Sequence, residues 1–161
     1  MAAARGAQLA RQPRRRTRLS SGSALGFDFG LRRIGVASGD TLTKSAAPLA
    51  AVMRAAGGPD WTAIDRLLAT HKPAVLVVGY PYNEDGTPGV LAGAADHFAA
   101  ALARRAGLAV ARVDERGSTQ EAAAELKGRR AAGTRRRRVQ RQDIDSLAAA
   151  IILGRWLRGE Y

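Results

Sequence analysis

Residues 24–37 read ALGFDFGLRRIGVA, and this stretch decides the fold. Its first half alternates as a β-strand does, because leucine and phenylalanine side chains fall on one face while small residues and Asp28 fall on the other. Residues 30–33 turn the chain, and residues 34–37 form a second short apolar run. The stretch therefore predicts a β-hairpin. Asp28 lies inside its first strand, where aspartate is disfavoured, so it is a candidate functional residue.

Beyond the hairpin, the pattern changes to strands that alternate with helices. A valine-rich apolar run at residues 74–78 indicates a central strand covered on both faces. Helices are expected after an Asp60 cap and at a capping box formed by Ser118 and Glu121. The other predicted elements are a strand around 48–52, a helix over about 91–105, a strand over 108–113 and a final helix over 144–157. This order predicts an α/β fold with a mixed central sheet, in which an antiparallel hairpin meander precedes parallel strands and helices cover both faces.

The composition limits the classes of protein that the chain can represent. Its 161 residues are 46% hydrophobic and 25% charged, which is typical of one globular domain. Cysteine is absent, which excludes disulfides, thiolate zinc sites and cysteine nucleophiles. No apolar run approaches the roughly 18–20 residues that a membrane helix needs. We therefore expect no membrane contact and a cytoplasmic location.

Most of the net charge of +12 comes from two segments. Residues 1–24 contain six arginines and residues 128–142 contain seven, and neither segment contains an acid. We predict a basic disordered extension over residues 1–22, followed by one domain over 23–161 with a mobile basic loop at 127–142. Clustered arginines favour a polyanionic partner such as nucleic acid, although a solubilising or organelle-targeting role stays open for the extension.

Three acidic positions stand out because each is unusual for a surface charge. Asp28 is inside a strand, and Asp114 with Glu115 directly follows another strand, at the edge where α/β sheets place their chemistry. Asp145 shares a helix face with apolar residues, so it must be ion-paired, protonated or bound to a metal. Carboxylates without thiolates favour Mg²⁺ or Mn²⁺, which can activate water against a phosphodiester. The alternative is that each acid pairs with a nearby arginine.

Several other polar residues lie near these acids in the sequence, and two interpretations of each stay open. Arg33 and Arg116 could orient carboxylates or contact the scissile phosphate. Asn83 and Asp85 could form a turn beside the site or contact substrate. Within the basic loop, four consecutive arginines are predicted to lie beside the site and to close over a phosphate backbone: Arg135, Arg136, Arg137 and Arg138.

Five motifs in order carry a family resemblance: LGFDFG at 25–30, RIGVA at 33–37, VGYPYNEDG at 78–86, VDER at 113–116 and IDSLAA at 144–149. Together they resemble the YqgF (RuvX) family over residues 24–158. The resemblance implies an RNase H-like nuclease fold. It also implies that Asp28, the adjacent pair Asp114 and Glu115, and Asp145 bind metal, with Asp28, Glu115 and Asp145 catalytic. Gly117 stands where relatives usually have leucine, which loosens the loop and removes no ligand.

The resemblance also implies the activity. Family members are described as Holliday junction resolvases and as nucleases that mature the 5′ end of small-subunit rRNA. We therefore expect a hydrolase of ester bonds, a two-metal-ion endonuclease that uses Mg²⁺ or Mn²⁺ to process pre-16S rRNA, with the ribosome as a further expected partner. The alternatives are a resolvase of branched DNA and a non-catalytic RNA- or ribosome-binding factor. Junction resolution suggests a two-fold homodimer, whereas rRNA trimming works with a monomer.

Overall fold

The computed structural model describes residues 22–161, so the predicted basic extension, apart from Gly22, lies outside the described residues. Six strands are formed by β1 (Ser23–Phe29), β2 (Arg33–Asp40), β3 (Ala46–Ala55), β4 (Gly58–Pro59), β5 (Val75–Tyr80) and β6 (Val110–Asp114). Four helices are formed by α1 (Trp61–His71), α2 (Ala92–Ala106), α3 (Ser118–Ala131) and α4 (Arg141–Arg158). The predicted order of strands and helices is confirmed, except that the two-residue strand β4 was not predicted.

The strands form one mixed sheet in the order β4-β3-β2-β1-β5-β6. β1, β2 and β3 are antiparallel neighbours, and the first hairpin closes with Phe29 opposite Ile34. β5 runs parallel to β1 on its other side, and β6 runs parallel to β5. The parallel strands are joined through helices, as such crossovers require. The predicted meander followed by parallel strands is therefore confirmed.

The alternation of β1 divides the core into two layers, one on each face of the sheet. Leu25 and Phe27 pack with Phe98 of α2 and Ile64 of α1 on one face. The opposite face is covered by α3 and α4, whose cluster includes Ala24, Val77, Ala149, Ile152 and Leu153. Helices thus cover both faces of the sheet. Because side chains alternate along a strand, Asp28 lies on the α4 face.

Glycines let α4 lie directly on β1 and β2. A Cβ atom on Gly26 would come within 2.7 Å of Cβ of Leu153, and one on Gly35 would overlap the carbonyl oxygen of Asp145. The backbone amide of Val36 also donates a hydrogen bond to the hydroxyl of Ser146, at 3.4 Å. This close approach brings the first turns of α4 against the strand hairpin that carries Asp28.

One prediction about how the helices begin is confirmed, and one is wrong. Asp60 caps α1, because its side chain accepts a hydrogen bond from the amide of Ala63. Ser118 does not open a capping box. Gly117 precedes the helix with a positive φ of 79°, and the Ser118 hydroxyl instead donates to the carbonyl of Glu115 at 2.6 Å. The glycine conformation turns the chain sharply, so the serine already lies inside the helix.

The predicted loop over residues 127–142 is too long. α3 continues to Ala131 and α4 begins at Arg141, so the connection spans residues 132–140. Arginines near the end of α3 are favourable there because the helix dipole places partial negative charge at its C-terminus. No helix within residues 22–161 is long and apolar enough to span a membrane.

Candidate active site

Two acidic side chains meet across the sheet on the α4 face. Asp28 lies near the end of β1, and Glu115 directly follows β6, two strands away. The intervening strand β5 carries Gly79 at this level, and a Cβ atom there would be 2.9 Å from Oε2 of Glu115. The missing side chain leaves room for Glu115 to cross β5 and hydrogen-bond to Asp28. Sequence spacing alone could not reveal this path across the glycine.

Burial is the main influence on both carboxyl groups of this pair. It raises the pKa of Asp28 to about 6, an increase to which the negative charge of Asp145 also contributes and which the hydrogen bond from Glu115 opposes. Burial, the charge of Asp28 and the shared hydrogen bond raise the pKa of Glu115 to about 8. The pair therefore retains a proton in the pH range in which ordinary carboxyl groups have released theirs. Oε2 of Glu115 is buried without a hydrogen-bond partner among the described residues.

Asp145 lies beside this pair and is ion-paired. Its Oδ2 accepts a hydrogen bond from Nε of Arg33 at 2.9 Å, and the two side chains are 29% and 22% exposed, respectively. Of the three states expected for an acid on this helix face, the free protein adopts the ion-paired one. The predicted role of Arg33 in orienting a carboxylate matches this contact.

The donor chemistry of these residues fits a divalent metal ion. Hard cations such as Mg²⁺ prefer carboxylate oxygens, and the unpartnered buried Oε2 of Glu115 is an available ligand atom. Asp28 and Glu115 are the two groups that would hold the ion, with Asp145 as the third carboxylate near enough to influence Asp28. Across residues 22–161, no three acidic or histidine side chains converge as closely as a preformed metal site requires.

Asp114 is not part of this group, because Arg116 binds it elsewhere. Nε and Nη2 of Arg116 lie 2.7 and 2.5 Å from Oδ2 of Asp114, and the hydrogen bond from this guanidinium is the main cause that lowers the pKa of the acid. Nη1 of the same arginine donates to the carbonyl oxygens of Asn83 and Glu84, at 3.4 and 3.3 Å. Arg116 thus ties the loop after β5 to the end of β6. Of the adjacent acids, Glu115 is the one that faces Asp28.

The side chains of Asn83 and Asp85 stabilise a turn. Nδ2 of Asn83 donates to Oγ1 of Thr87 at 2.9 Å, and Oδ1 of Asp85 accepts from the amide and hydroxyl of Thr87 at 2.9 and 2.6 Å. These bonds lower the pKa of Asp85, with the hydroxyl making the largest contribution. The polar groups of both residues are therefore engaged within the loop.

Two of the four consecutive arginines are engaged by Asp143. Arg135 and Arg137 lie 2.7 and 2.5 Å from its two carboxylate oxygens, and the acid is only 13% exposed. The Asp143 side chain also accepts the backbone amide of Gln140 at 2.8 Å, as part of a capping box that begins α4. The bridge anchors the connection to the helix start. The remaining two of the four, Arg136 and Arg138, are exposed and form no ion pair within residues 22–161.

We expect the Asp143→Ala substitution to lower the free energy of unfolding by about 2 kcal/mol. The loss combines a helix cap with one partly buried and one exposed guanidinium contact. Urea denaturation measures it. The control is Asp65→Ala, which removes an acid that is 50% exposed and paired with Arg105, and exposed pairs contribute about 0–1 kcal/mol. Equal losses in the two variants would contradict the anchoring role of Asp143.

A cleft of about 600 Å³ opens at Asp145 and is predominantly basic. Its lining residues are Gly30, Leu31, Arg32, Arg33, Leu91, Arg141 and Asp145. Arg32 and Arg141 were not predicted as site residues. The signals that could have identified them are that Arg32 adjoins Arg33 in the first motif and that Arg141 begins the helix carrying Asp145. The cleft places three guanidinium groups around one ion-paired carboxylate.

The shifted acid pair predicts an unusual pH dependence of stability. Both folded-state pKa values lie above the ordinary values near 4, so between about pH 5 and 8 the folded protein retains protons that the unfolded chain has released. Metal-free protein should therefore lose stability as the pH rises through this window, by on the order of 5 kcal/mol. Urea denaturation in a chelating buffer measures the slope. Glu115→Gln should flatten it above pH 6, and an unchanged slope in that variant would contradict the assignment.

Comparison with known proteins places the chain in a family. A family model described as "RuvX: Holliday junction resolvase" matches residues 22–159. The chain is 43% identical over 133 residues to a "Putative pre-16S rRNA nuclease" of Azotobacter vinelandii strain DJ, covering 83% of this chain and 91% of that protein. It is 46% identical over 135 residues to a protein of the same name from Coxiella burnetii strain Dugway 5J108-111, covering 84% and 92%.

The fold agrees with a solved structure. The chain of "T. thermophilus RuvC in complex with Holliday junction substrate" superimposes with a TM-score of 0.52 and 18% identity, covering 86% of this chain and 94% of that one. At this identity the likeness concerns the fold, and it confirms the predicted RNase H-like architecture. The hairpin, the site motifs and the match over residues 22–159 agree, and the chain belongs to the RuvX family.

Proposed function

We propose that this protein is a divalent-metal-dependent endonuclease that matures the 5′ end of pre-16S rRNA. The observation that carries the proposal is the buried Asp28 and Glu115 pair, with Asp145 beside it at a basic cleft. The relatives from Azotobacter and Coxiella support the choice of substrate by their name. The cytoplasm, where precursor rRNA is found in bacteria, is the proposed location, and the ribosomal precursor particle is the proposed partner.

The acidic residues of the site are proposed to bind the metal ion, and the arginines are proposed to bind phosphate. Mg²⁺ or Mn²⁺, when bound, supplies Lewis acidity and a nucleophilic water for phosphodiester hydrolysis. Asp28 and Glu115 would hold the ion, and the pair would give up its proton on binding it, which would tie metal affinity to pH. Asp145 is the proposed third ligand.

Arginines position the nucleic acid. Arg32, Arg33 and Arg141 line the cleft, where their guanidinium groups suit the oxygens of a backbone phosphate. Arg136 and Arg138 lie exposed on the connection before α4 and are proposed to contact the backbone farther along. Arg135 and Arg137 are proposed to support this surface through Asp143, and Arg116 to support the loop at Asn83. These contacts recognise phosphate and do not select a sequence.

Parallel cleavage assays test the function. Precursor rRNA and a synthetic four-way DNA junction are incubated with the purified protein in Mg²⁺ and in Mn²⁺, with an Asp28→Asn protein purified in the same way. We expect new 5′-phosphate ends on the rRNA with the unmodified protein alone. A monomer is proposed to be sufficient for rRNA cleavage. Light scattering measures the molar mass of the active fraction and so tests this.

The second candidate function is resolution of branched DNA, which the description of the matching family model favours. It predicts paired, symmetric nicks in the junction and activity that requires a dimer. A third outcome, salt-sensitive binding without any product in either metal, would indicate a non-catalytic RNA- or ribosome-binding factor instead.

A further inference from the structure

The ion pair between Arg33 and Asp145 joins the hairpin to α4 at the mouth of the site. It is a single contact, because only Nε of Arg33 is hydrogen-bonded among residues 22–161, at 2.9 Å from Oδ2 of Asp145. Both side chains line the 600 Å³ cleft and are partly exposed. The contact is therefore within reach of incoming ligands, and the two Nη groups of the guanidinium keep their donors available.

The proposed function requires both members of this pair for other partners. A metal ion bound by Asp145 needs its carboxylate oxygens and is repelled by a guanidinium in contact with them. A backbone phosphate in the cleft is matched by the planar, five-donor fork of an arginine. Arg33 cannot use its donors fully on a phosphate while it holds Asp145.

We infer that Arg33 exchanges partners: it neutralises Asp145 in the free protein and binds a backbone phosphate of the nucleic acid once a divalent cation has taken its place at Asp145. The inference rests on the proposed function. In the free protein, the guanidinium of Arg33 offsets the repulsion between Asp145 and the nearby acid pair. In the metal-bound protein, the divalent cation offsets the same repulsion. The exchange couples metal binding to substrate binding through one side chain. The cation frees the guanidinium of Arg33 for a phosphate, and the phosphate frees the carboxylate of Asp145 for the cation.

Arg32 supplies a matched control for every measurement. It is adjacent in the chain, carries the same charge and lines the same cleft, yet it forms no ion pair among the described residues. Replacing either arginine with glutamine removes one positive charge from the cleft. A difference between the two variants therefore reports the direct contact of Arg33 with Asp145 and not the general electrostatic potential.

The first test is Mn²⁺ binding, measured by isothermal titration calorimetry without nucleic acid. Arg33→Gln should raise the affinity about fivefold, because the competing cation is gone, and Arg32→Gln should change it by less than about twofold. In an Asp145→Asn background, Arg33→Gln should give no increase. Equal effects of the two glutamine variants, or a loss of affinity in Arg33→Gln, would overturn the inference. If Arg33→Gln does not fold, Arg33→Lys should show a smaller increase, because its compact ammonium fits the carboxylate less well.

The second test is RNA binding in EDTA, measured by fluorescence anisotropy with a labelled single-stranded RNA, so that no cleavage occurs. Arg33→Gln should lower the RNA affinity by less than about twofold in the unmodified background, where the guanidinium is ion-paired with Asp145. It should cost about tenfold in the Asp145→Asn background, where the guanidinium is free to bind phosphate. Arg32→Gln should cost the same in both backgrounds. A cost of Arg33→Gln that does not depend on residue 145 would overturn the exchange.

These measurements separate failure of the inference from failure of the proposed function. Metal-dependent cleavage by the unmodified protein together with additive effects of Arg33 and Asp145 would overturn the exchange and leave the nuclease intact. A protein that binds Mn²⁺ and RNA with the expected coupling yet cleaves neither substrate would support the exchange and contradict the nuclease. Failure of the unmodified protein to bind Mn²⁺ would overturn both.

Discussion

Replacing Asp28 with asparagine is expected to reduce the cleavage rate by about 10³-fold or more while leaving RNA affinity within about threefold. The amide matches the carboxylate in size and can still hydrogen-bond to Glu115, but it carries no charge to hold a divalent cation. The arginines that line the cleft are unchanged, so phosphate binding should persist. Single-turnover cleavage in Mg²⁺ and anisotropy in EDTA measure the two quantities.

The control for this variant is Asp65→Asn, which makes the same chemical change at an acid in α1 that is paired with Arg105. It should cleave at nearly the unmodified rate. Asp145→Asn should lose cleavage as Asp28→Asn does, and it differs in freeing Arg33. Substantial metal-dependent cleavage by a purified protein carrying both substitutions would rule out this site as the catalytic centre.

Replacing Gly35 with alanine is expected to destabilise the protein by about 3 kcal/mol or more, because the new methyl group has no space. The added Cβ would overlap the carbonyl oxygen of Asp145 and crowd the backbone nitrogen of Ser146, so α4 must move off the sheet. Backbone atoms cannot rotate away as a flexible side chain can. Urea or thermal denaturation measures the loss, and Mn²⁺ affinity should fall with it because Asp145 moves on the same helix.

Gly93 provides the matched control in α2. Among residues 22–161, no atom beyond its chain neighbours and the adjacent turns of its own helix lies within 4 Å of the position that its Cβ would take. Alanine is also the better helix former, so Gly93→Ala should be neutral or stabilise by up to about 1 kcal/mol. Similar destabilisation in both variants would show that general glycine effects, and not the contact between β2 and α4, explain the loss at Gly35.

The fold follows closely from local patterns. The alternation around Asp28 specifies a strand whose two faces carry different side chains, and the valine-rich run in β5 specifies a strand buried on both faces. Such patterns depend on the periodicity of one element, so they are visible in the chain itself. The termini of α3 were harder to predict, because a glycine with positive φ before Ser118 and tolerance of Gly128 within the helix depend on backbone conformation and context.

For the site, the sequence predicts which residue types take part but not which of them contact each other. Acids in unusual positions were recognisable, and Arg33 was a recognisable partner. Glu115, and not Asp114, faces Asp28. This choice depends on the ion pair between Arg116 and Asp114 and on the space left at Gly79, and both arise only when three strands pack side by side. In the same way, the capture of two arginines by Asp143 depends on how the connection folds back on α4.

The sequence by itself determined the hairpin, the alternation of strands and helices, the family, and the set of carboxylates available for a hard cation. It did so because periodicity, chemical type and motif order are one-dimensional properties. Only the tertiary structure decided that Glu115 meets Asp28 across Gly79, that Asp145 is held by Arg33, and that Arg32 and Arg141 line the same cleft. Those outcomes depend on burial and on distances between residues far apart in the chain, which are set only when α4 packs on the glycines of β1 and β2.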